Sequence, residues 1–217
     1  MIIFGLFGKT GCGKTEILRK LKKYHPVIDI EECANTRGSV LGNLYHLKQR
    51  NQEEFEKELY KQIKEAEKRG YCIVEYEGRF IGGVKRLKIP ELLANLGNYT
   101  YKILIECPYE CQIKRLVRQY TPKNEKEKRI LISRFKLLKK SLKKEEILKA
   151  IDEAIKLIEN DDYYNAAMLI EEKLYRFHYL RTLKKIQPDL VVYIEDNNLD
   201  KYVKIIDDFI KSKLLGR

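Results

Sequence analysis

Eight residues near the N-terminus have the types and spacing for chemistry on phosphate. Gly8-Lys9-Thr10-Gly11-Cys12-Gly13-Lys14-Thr15 fits G-x-x-x-x-G-K-[ST] and directly follows the apolar run Ile2 to Phe7. Small residues let successive backbone N–H groups turn inward around an anion, and a following helix adds the positive end of its dipole. In that arrangement Lys14 reaches the outer phosphate and the Thr15 hydroxyl is placed to hold Mg²⁺. A glycine-rich turn without a ligand fits less well, because an apolar strand precedes the motif and the helix-like Glu16 to Leu21 follows it. The motif therefore predicts a site for a di- or triphosphate, with ATP or GTP the obvious candidates.

Two further segments carry candidate chemistry. Tyr71 to Glu77 is an apolar strand ending in acid, which predicts Glu75 or Glu77 near the metal, with Arg79 just beyond. A solvent-facing acidic strand end is the plainer alternative. Glu31 to Ser39 is polar with neither helical nor strand period. Irregular stretches beside the end of a parallel sheet are where binding residues collect.

The elements that must position these residues alternate. Strands are expected at Ile2–Phe7, Val27–Ile30, Tyr71–Glu77, Tyr101–Glu106 and Leu190–Ile194. Helices are expected from Lys14 to Tyr24, Gln52 to Arg69 (capped by Gly70), Pro90 to Leu96 and Leu199 to Leu214. Between the last two strands only helical periodicity is found, including the stripe Leu131, Phe135, Leu138 and Leu142. The prediction is an α/β P-loop NTPase fold, nucleotide-kinase-like: a parallel sheet of about five strands flanked by helices. It reads as one domain over residues 1–217, with a helical, lid-like insert at about 109–187 before the last strand.

Composition narrows the class. Hydrophobic content of 44% and charged content of 35% describe a globular chain able to bury a core. No apolar run approaches the ~20 residues of a membrane span, and the first strand starts too early for a signal peptide. Five Cys without C-x-x-C spacing read as reduced thiols of a cytoplasmic protein and give no zinc site. The net charge of +12 is uneven: Cys111 to Ala150 holds fourteen Lys/Arg against four Glu, and Glu172 to Ile186 five against one. Such a concentrated basic field fits a polyanion, most plausibly nucleic acid, although charge runs are often only solvated helical faces.

The polar segment resembles a signature of tRNA 2-selenouridine synthases. Their P-loop domain reads roughly D-L-E-G-L-A-N-H-R-G-S where this chain has Asp29-Ile30-Glu31-Glu32-Cys33-Ala34-Asn35-Thr36-Arg37-Gly38-Ser39. Gln49, Gln52, Phe55 and Glu56 follow the family's Q-P-x-Q-x-x-F-E, with Arg50 replacing the proline. Val74 to Gly82 resembles V-E-D-E-S-R-R-I-G, keeping Glu75, Glu77 and Arg79. Cys12 stands where the family usually has Ser. The matches cover the first 82 residues; in the rest, Tyr175 and Tyr179 only loosely resemble a late Y-D-P-x-Y.

The resemblance implies a tRNA-modifying transferase, a subunit that converts wobble 2-thiouridine to 2-selenouridine through an S-geranylated base. Geranyl diphosphate, ATP or GTP would occupy the loop, with Mg²⁺ possible at Thr15 and Glu75, and selenophosphate would supply selenium. It implies catalytic parts for Lys14, Arg37, Glu75, Glu77 and Arg79, with Lys14, Arg37 and Arg79 neutralising the leaving diphosphate. Substrate contacts fall on Asp29, Glu31, Asn35, Arg37, Gly38, Ser39 and Gln52. The better-known bacterial members carry a rhodanese domain ahead of the P-loop, which this sequence does not contain, so a separate rhodanese-domain protein is the expected partner, besides tRNA. An ATP-dependent kinase of a small molecule, or a non-catalytic tRNA-binding subunit, are the competing expectations.

Overall fold

β1 (Ile2–Phe7) is apolar on both faces and takes the centre of the sheet, between β3 (Tyr71–Glu75) and β6 (Tyr101–Glu106). β2 (Val27–Ile28) lies outside β3, and β7 (Leu190–Tyr193) outside β6, giving the order β2-β3-β1-β6-β7 with every pair parallel. The structure, a computed structural model, describes residues 1–36, 48–82, 86–140, 142–175, 182–196 and 198–216. The register sets Leu6 opposite both Glu75 and Ile103, so β1 and β3 end within one residue of each other while β6 runs two residues past the partner of Phe7, and the phosphate loop leaves the sheet between these neighbours.

Two apolar layers cover the sheet. On one face α3 (Gln52–Arg69) buries Phe55, Leu59 and Ile63 against Ile28, Cys72 and Val74. On the other, α1 (Lys14–Leu21) and the C-terminal helix α9 (Leu199–Leu215) bury Ile17, Leu21, Ile206 and Ile210 against Ile73 and Ile103. α3 starts on a capping box, with Asn51 and Glu54 each accepting from the other's backbone N–H, and ends at Gly70 with φ 78°.

The sheet has the expected five strands, but several element boundaries fall short of the sequence expectation: β3 stops at Glu75, β7 at Tyr193, and the helices after the phosphate loop and after Pro90 at Leu21 and Ala94. β2 stops at Ile28 because the Asp29 carboxylate accepts from the Glu32 N–H at 2.8 Å and caps a short helix, α2 (Ile30–Ala34). Ile30, Cys33 and Ala34 are its buried face, a helical spacing too short to stand out in the sequence. α2 ends at Asn35 in the left-handed region, φ 49°. Arg50, which replaces the resembled proline, donates to the Glu32 and Cys33 carbonyls at 2.7 and 2.8 Å, satisfying the end of α2. Beyond Glu75, β4 (Phe80–Ile81) and β5 (Leu87–Lys88) form an antiparallel pair that two-residue strands give no pattern to foresee.

Between β6 and β7 lie α5 (Tyr109–Tyr120), α6 (Glu125–Lys140), α7 (Glu145–Glu159), α8 (Tyr163–Ile170) and a π-helical turn at Glu171–Tyr175. α6, α7 and α8 share a third core of their own, built on Leu131, Phe135, Ile151, Ala154, Ile158 and Ile170. α4 (Glu91–Ala94) is a single turn opened by Pro90. No described helix is long and apolar enough to cross a membrane.

Candidate active site

The phosphate loop turns on glycines that nothing larger could replace. Gly8 has φ 146°, and a Cβ there would lie 2.2 Å from the Ile105 carbonyl oxygen; Gly11 has φ 84°, with the Gln112 carbonyl 2.9 Å from its would-be Cβ. Gly13, at φ 89°, caps α1 without any side-chain hydrogen bond, leaving the first N–H groups of that helix to face an anion. Lys14, only 7% exposed, donates to the Lys9 carbonyl at 2.9 Å and pairs with Glu75 at 3.3 Å. A buried ammonium that spans the loop is already positioned for an anion laid in it.

Glu75, the last residue of β3, also accepts from the Thr15 hydroxyl at 2.7 Å. Thr15 and Glu75 thus meet from separate elements, as a Mg²⁺ bound beside a phosphate requires of its hydroxyl and carboxylate partners. No group of three or more His, Cys, Asp or Glu among the described residues is arranged to hold a metal alone. The site fits an ion shared with ligand phosphates, and Mg²⁺ there would neutralise developing oxyanion charge.

A cluster of carboxylates backs this centre. Arg19 on α1 reaches Asp29 at 3.2 Å and Glu31 at 3.5 Å. Burial, with Glu75 and Asp29 adding negative charge, pushes the Glu31 carboxyl up to about 8. Burial and the charges of Glu75 and Glu31 raise Glu77 well above the usual carboxylate range. Both acids therefore hold protons at pH values where exposed carboxylates have lost theirs.

The remaining expected residues separate into two groups. Asp29 caps α2, and its N–H donates to the Gln62 side chain at 2.8 Å, so it braces the helix bearing Glu31. The Asn35 amide donates to the Lys48 carbonyl at 2.9 Å. Gln52 exchanges two hydrogen bonds with the Lys88 backbone, 3.0 and 2.8 Å, and steadies the hairpin after Glu77. Arg79 is exposed at the start of that hairpin. Arg37, Gly38 and Ser39 lie outside the described residues, as does Tyr179.

Two residues on α5 belong to the site and were not singled out from sequence. Gln112, 1% exposed, donates to the Thr10 carbonyl and to Glu171, both at 2.8 Å, linking the phosphate loop to the π-helical turn. Arg115, one turn on, donates to the Asp196 carbonyl at 3.3 Å, and its guanidinium carbon lies 3.9 Å from a Cβ built on Gly13. The second terminal nitrogen of Arg115 is buried with no hydrogen-bond partner among the described residues, a cation available beside the loop. The i, i+3 spacing of these polar residues on an amphipathic helix is the signal that would have found them.

From Thr10 an apolar cleft runs beneath the insert. It is a cavity of about 60 Å³ walled by Leu116, Val117, Leu131, Phe135, Ile158 and Ile170. The Thr10 hydroxyl is buried at the loop end of this cleft without a hydrogen-bond partner among the described residues.

Comparison with known proteins shows the family of this chain. Residues 1–211 match the model of the tRNA 2-selenouridine synthase AAA domain. An uncharacterized protein of Methanocaldococcus jannaschii is 68% identical over 214 residues, 99% of this chain and 93% of that protein. The tRNA 2-selenouridine synthase of Nitrosomonas europaea is 38% identical over 80 residues, 36% of this chain and 20% of the synthase. That of Hydrogenovibrio crunogenus is 29% identical over 126 residues, again only 33% of the relative. A crystal structure of the tRNA isopentenylpyrophosphate transferase of Bacillus halodurans aligns over 99% of this chain and 97% of that one, at 14% identity and a TM-score of 0.49.

Proposed function

The chain belongs to the family of tRNA 2-selenouridine synthase AAA domains, and from that premise we propose that it is the P-loop subunit of a tRNA-modifying transferase acting on wobble 2-thiouridine. Its step is the transfer of a geranyl group from geranyl diphosphate to the base sulfur. One observation carries this reading: the diphosphate cradle and the apolar cleft meet at Thr10. An anionic head on Gly8 to Thr15 and a hydrocarbon tail among Leu116, Leu131 and Phe135 describe an allylic diphosphate better than they describe a nucleotide.

In the proposed reaction the allylic C–O bond breaks, diphosphate leaves, and the thiocarbonyl sulfur bonds to the freed carbon while the base gives up its N3 proton. Lys14, the loop N–H groups and Arg115 stabilise charge on the leaving diphosphate, with Arg37 and Arg79 as further cations. The departing diphosphate takes up the N3 proton, and Glu31 and Glu77, kept protonated by their surroundings, add no negative charge near it. Thr15 and Glu75 would hold Mg²⁺ against the diphosphate. Asn35, Gly38 and Ser39 would contact the substrate, and Asp29 and Gln52 hold the segments that carry those contacts. Exclusion of water by the insert protects the allylic cation from hydrolysis.

The basic insert supports tRNA as the acceptor. α6 presents Lys136, Lys139 and Lys140 along an open groove, although α7 answers part of this charge, with Lys139 bound to Asp152 at 2.7 Å. Selenation from selenophosphate is assigned to a separate rhodanese-domain partner. The chain spans only 20% and 33% of the two synthases above, so these activities belong to the proposal.

The test is direct. Purified protein is incubated with 2-thiouridine-containing tRNA and geranyl diphosphate, and the nucleosides are resolved by mass spectrometry. A geranylated nucleoside is expected. No product with or without the partner, together with ATP turnover on a small metabolite, would establish the kinase reading instead.

A further inference from the structure

Behind the phosphate loop lies a pair of thiols that neither phosphate binding nor alkyl transfer uses. Cys12 sits in the loop between Gly11 and Gly13 and is 2% exposed, its side chain turned into the core beside Ile17 and Ile105. Cys107 follows β6 and remains partly exposed at the foot of α5. The Cys107 thiol donates to the Cys12 sulfur across 3.2 Å. A disulfide needs a separation near ~2.05 Å, so the pair lies roughly 1 Å from bonding distance. The hydrogen bond from Cys107, joined by the charges of Lys14 and Lys9, lowers the Cys12 thiol to about 7 against the opposing effect of burial. Cys107, as the donor to Cys12 and by burial, is pushed far up and stays a thiol. One member of the pair thus supplies thiolate near neutral pH and the other the resolving thiol.

We propose that Cys12 and Cys107 form a redox-sensitive pair, which hydrogen peroxide converts to a disulfide that disables the phosphate loop and a dithiol reductant restores. In the first step the Cys12 thiolate attacks a peroxide oxygen; the S–O bond forms, the O–O bond breaks and hydroxide leaves, giving a sulfenic acid. The Cys107 sulfur then attacks the Cys12 sulfur and water departs. Two thiols lose two electrons and two protons, and one peroxide becomes two waters. Transient disulfides of this kind suit a sensing role in reducing surroundings.

The loop has no slack with which to absorb the shortening. Gly8 is pressed on the Ile105 carbonyl, and Gly11 on the Gln112 carbonyl, so Cys12 cannot move towards Cys107 without carrying its glycine neighbours. Those neighbours supply the N–H groups that an anion needs in register. A misplacement of about 1 Å at a bound group costs up to roughly 100-fold in favourable cases.

The switch rests on the loop binding diphosphate, and the experiment separates the two. The full-length protein is measured for affinity towards inorganic diphosphate by calorimetry when reduced, after peroxide, and after dithiothreitol; each sample is peptide-mapped by mass spectrometry without reduction. We expect a Cys12–Cys107 cross-linked peptide after peroxide, an affinity loss of roughly tenfold or more, and recovery with dithiothreitol. Cys107→Ser and Cys107→Ala should each keep their affinity through the peroxide treatment, and Cys111→Ser should behave as the unmodified chain. A reduced protein that binds diphosphate but yields no such peptide, or yields it with unchanged affinity, overturns the switch alone. A reduced protein that binds no diphosphate overturns the functional reading, and the switch with it, whatever the peptide map shows.

Discussion

Around the phosphate loop, position is set by backbone contact: Gly8 lies on the Ile105 carbonyl, Gln112 holds the Thr10 carbonyl, and Lys14 spans to Lys9. In the insert, α6, α7 and α8 are held by side-chain burial in a core of their own; the pairs Lys139–Asp152 and Lys173–Glu146 lie on the surface, while Lys128 is buried in its pair with Asp161. The first kind of contact tolerates almost no substitution but leaves a readable motif. The second tolerates many sequences of the same period and hides its register. Function on this reading needs both, because the cleft that selects the ligand is walled by the insert and floored by the loop.

The largest effect is expected in the insert core. Phe135 is 3% exposed, and Phe135→Ala should cost about 3–5 kcal/mol through reduced burial and the cavity left behind. Hydrogen exchange should rise across α6 to α8 while the amides of β1 and β3 stay protected. Uniform loss of protection would mean that the insert has no stability of its own. Next in size is Lys14→Met, for which geranyl transfer should fall roughly 100- to 1,000-fold, the range for removing one charge-stabilising donor. Thermal melting of the same variant checks that the now unpaired Glu75 has not unfolded the site.

A smaller effect is expected on the insert surface. Reversal of Lys136, Lys139 and Lys140 to Glu should weaken tRNA binding and reduce the slope of log affinity on log salt by about 0.7–0.9 for each phosphate no longer neutralised. An unchanged slope would make that face a merely solvated one. The gentlest prediction concerns Glu31, whose folded-state affinity for its proton exceeds that of the unfolded chain. The sign follows: its contribution to stability is full below an unfolded value near 4.5 and is lost as pH rises through about 8. In the ligand-free protein, Glu31→Gln should flatten the fall of melting temperature over that window, whereas an unchanged profile would place the titration elsewhere.

The parts of the site that were legible share a physical trait. Gly8 to Thr15 could be read because each residue type answers a backbone or phosphate requirement at a fixed spacing, and Glu75 because a buried strand that ends in acid is unusual. Gln112 and Arg115 were not, since a polar pair on an amphipathic helix has many uses until its neighbours are known. Asp29 was misjudged as part of a strand for a related reason: a one-turn helix such as Ile30–Ala34 is decided by its cap and its packing rather than by periodicity.

The loop, the alternation that makes a parallel sheet, and the family to which the chain belongs are all legible in the amino-acid order alone. Local spacing and burial pattern suffice for those, because they are encoded within a few consecutive residues. It takes the folded chain to show that the cleft reaches Thr10, that Arg115 stands beside Gly13, and that Cys12 meets Cys107 across 95 positions of chain. Such encounters depend on how helices seat on the sheet, and many sequences with the same period could have seated them otherwise.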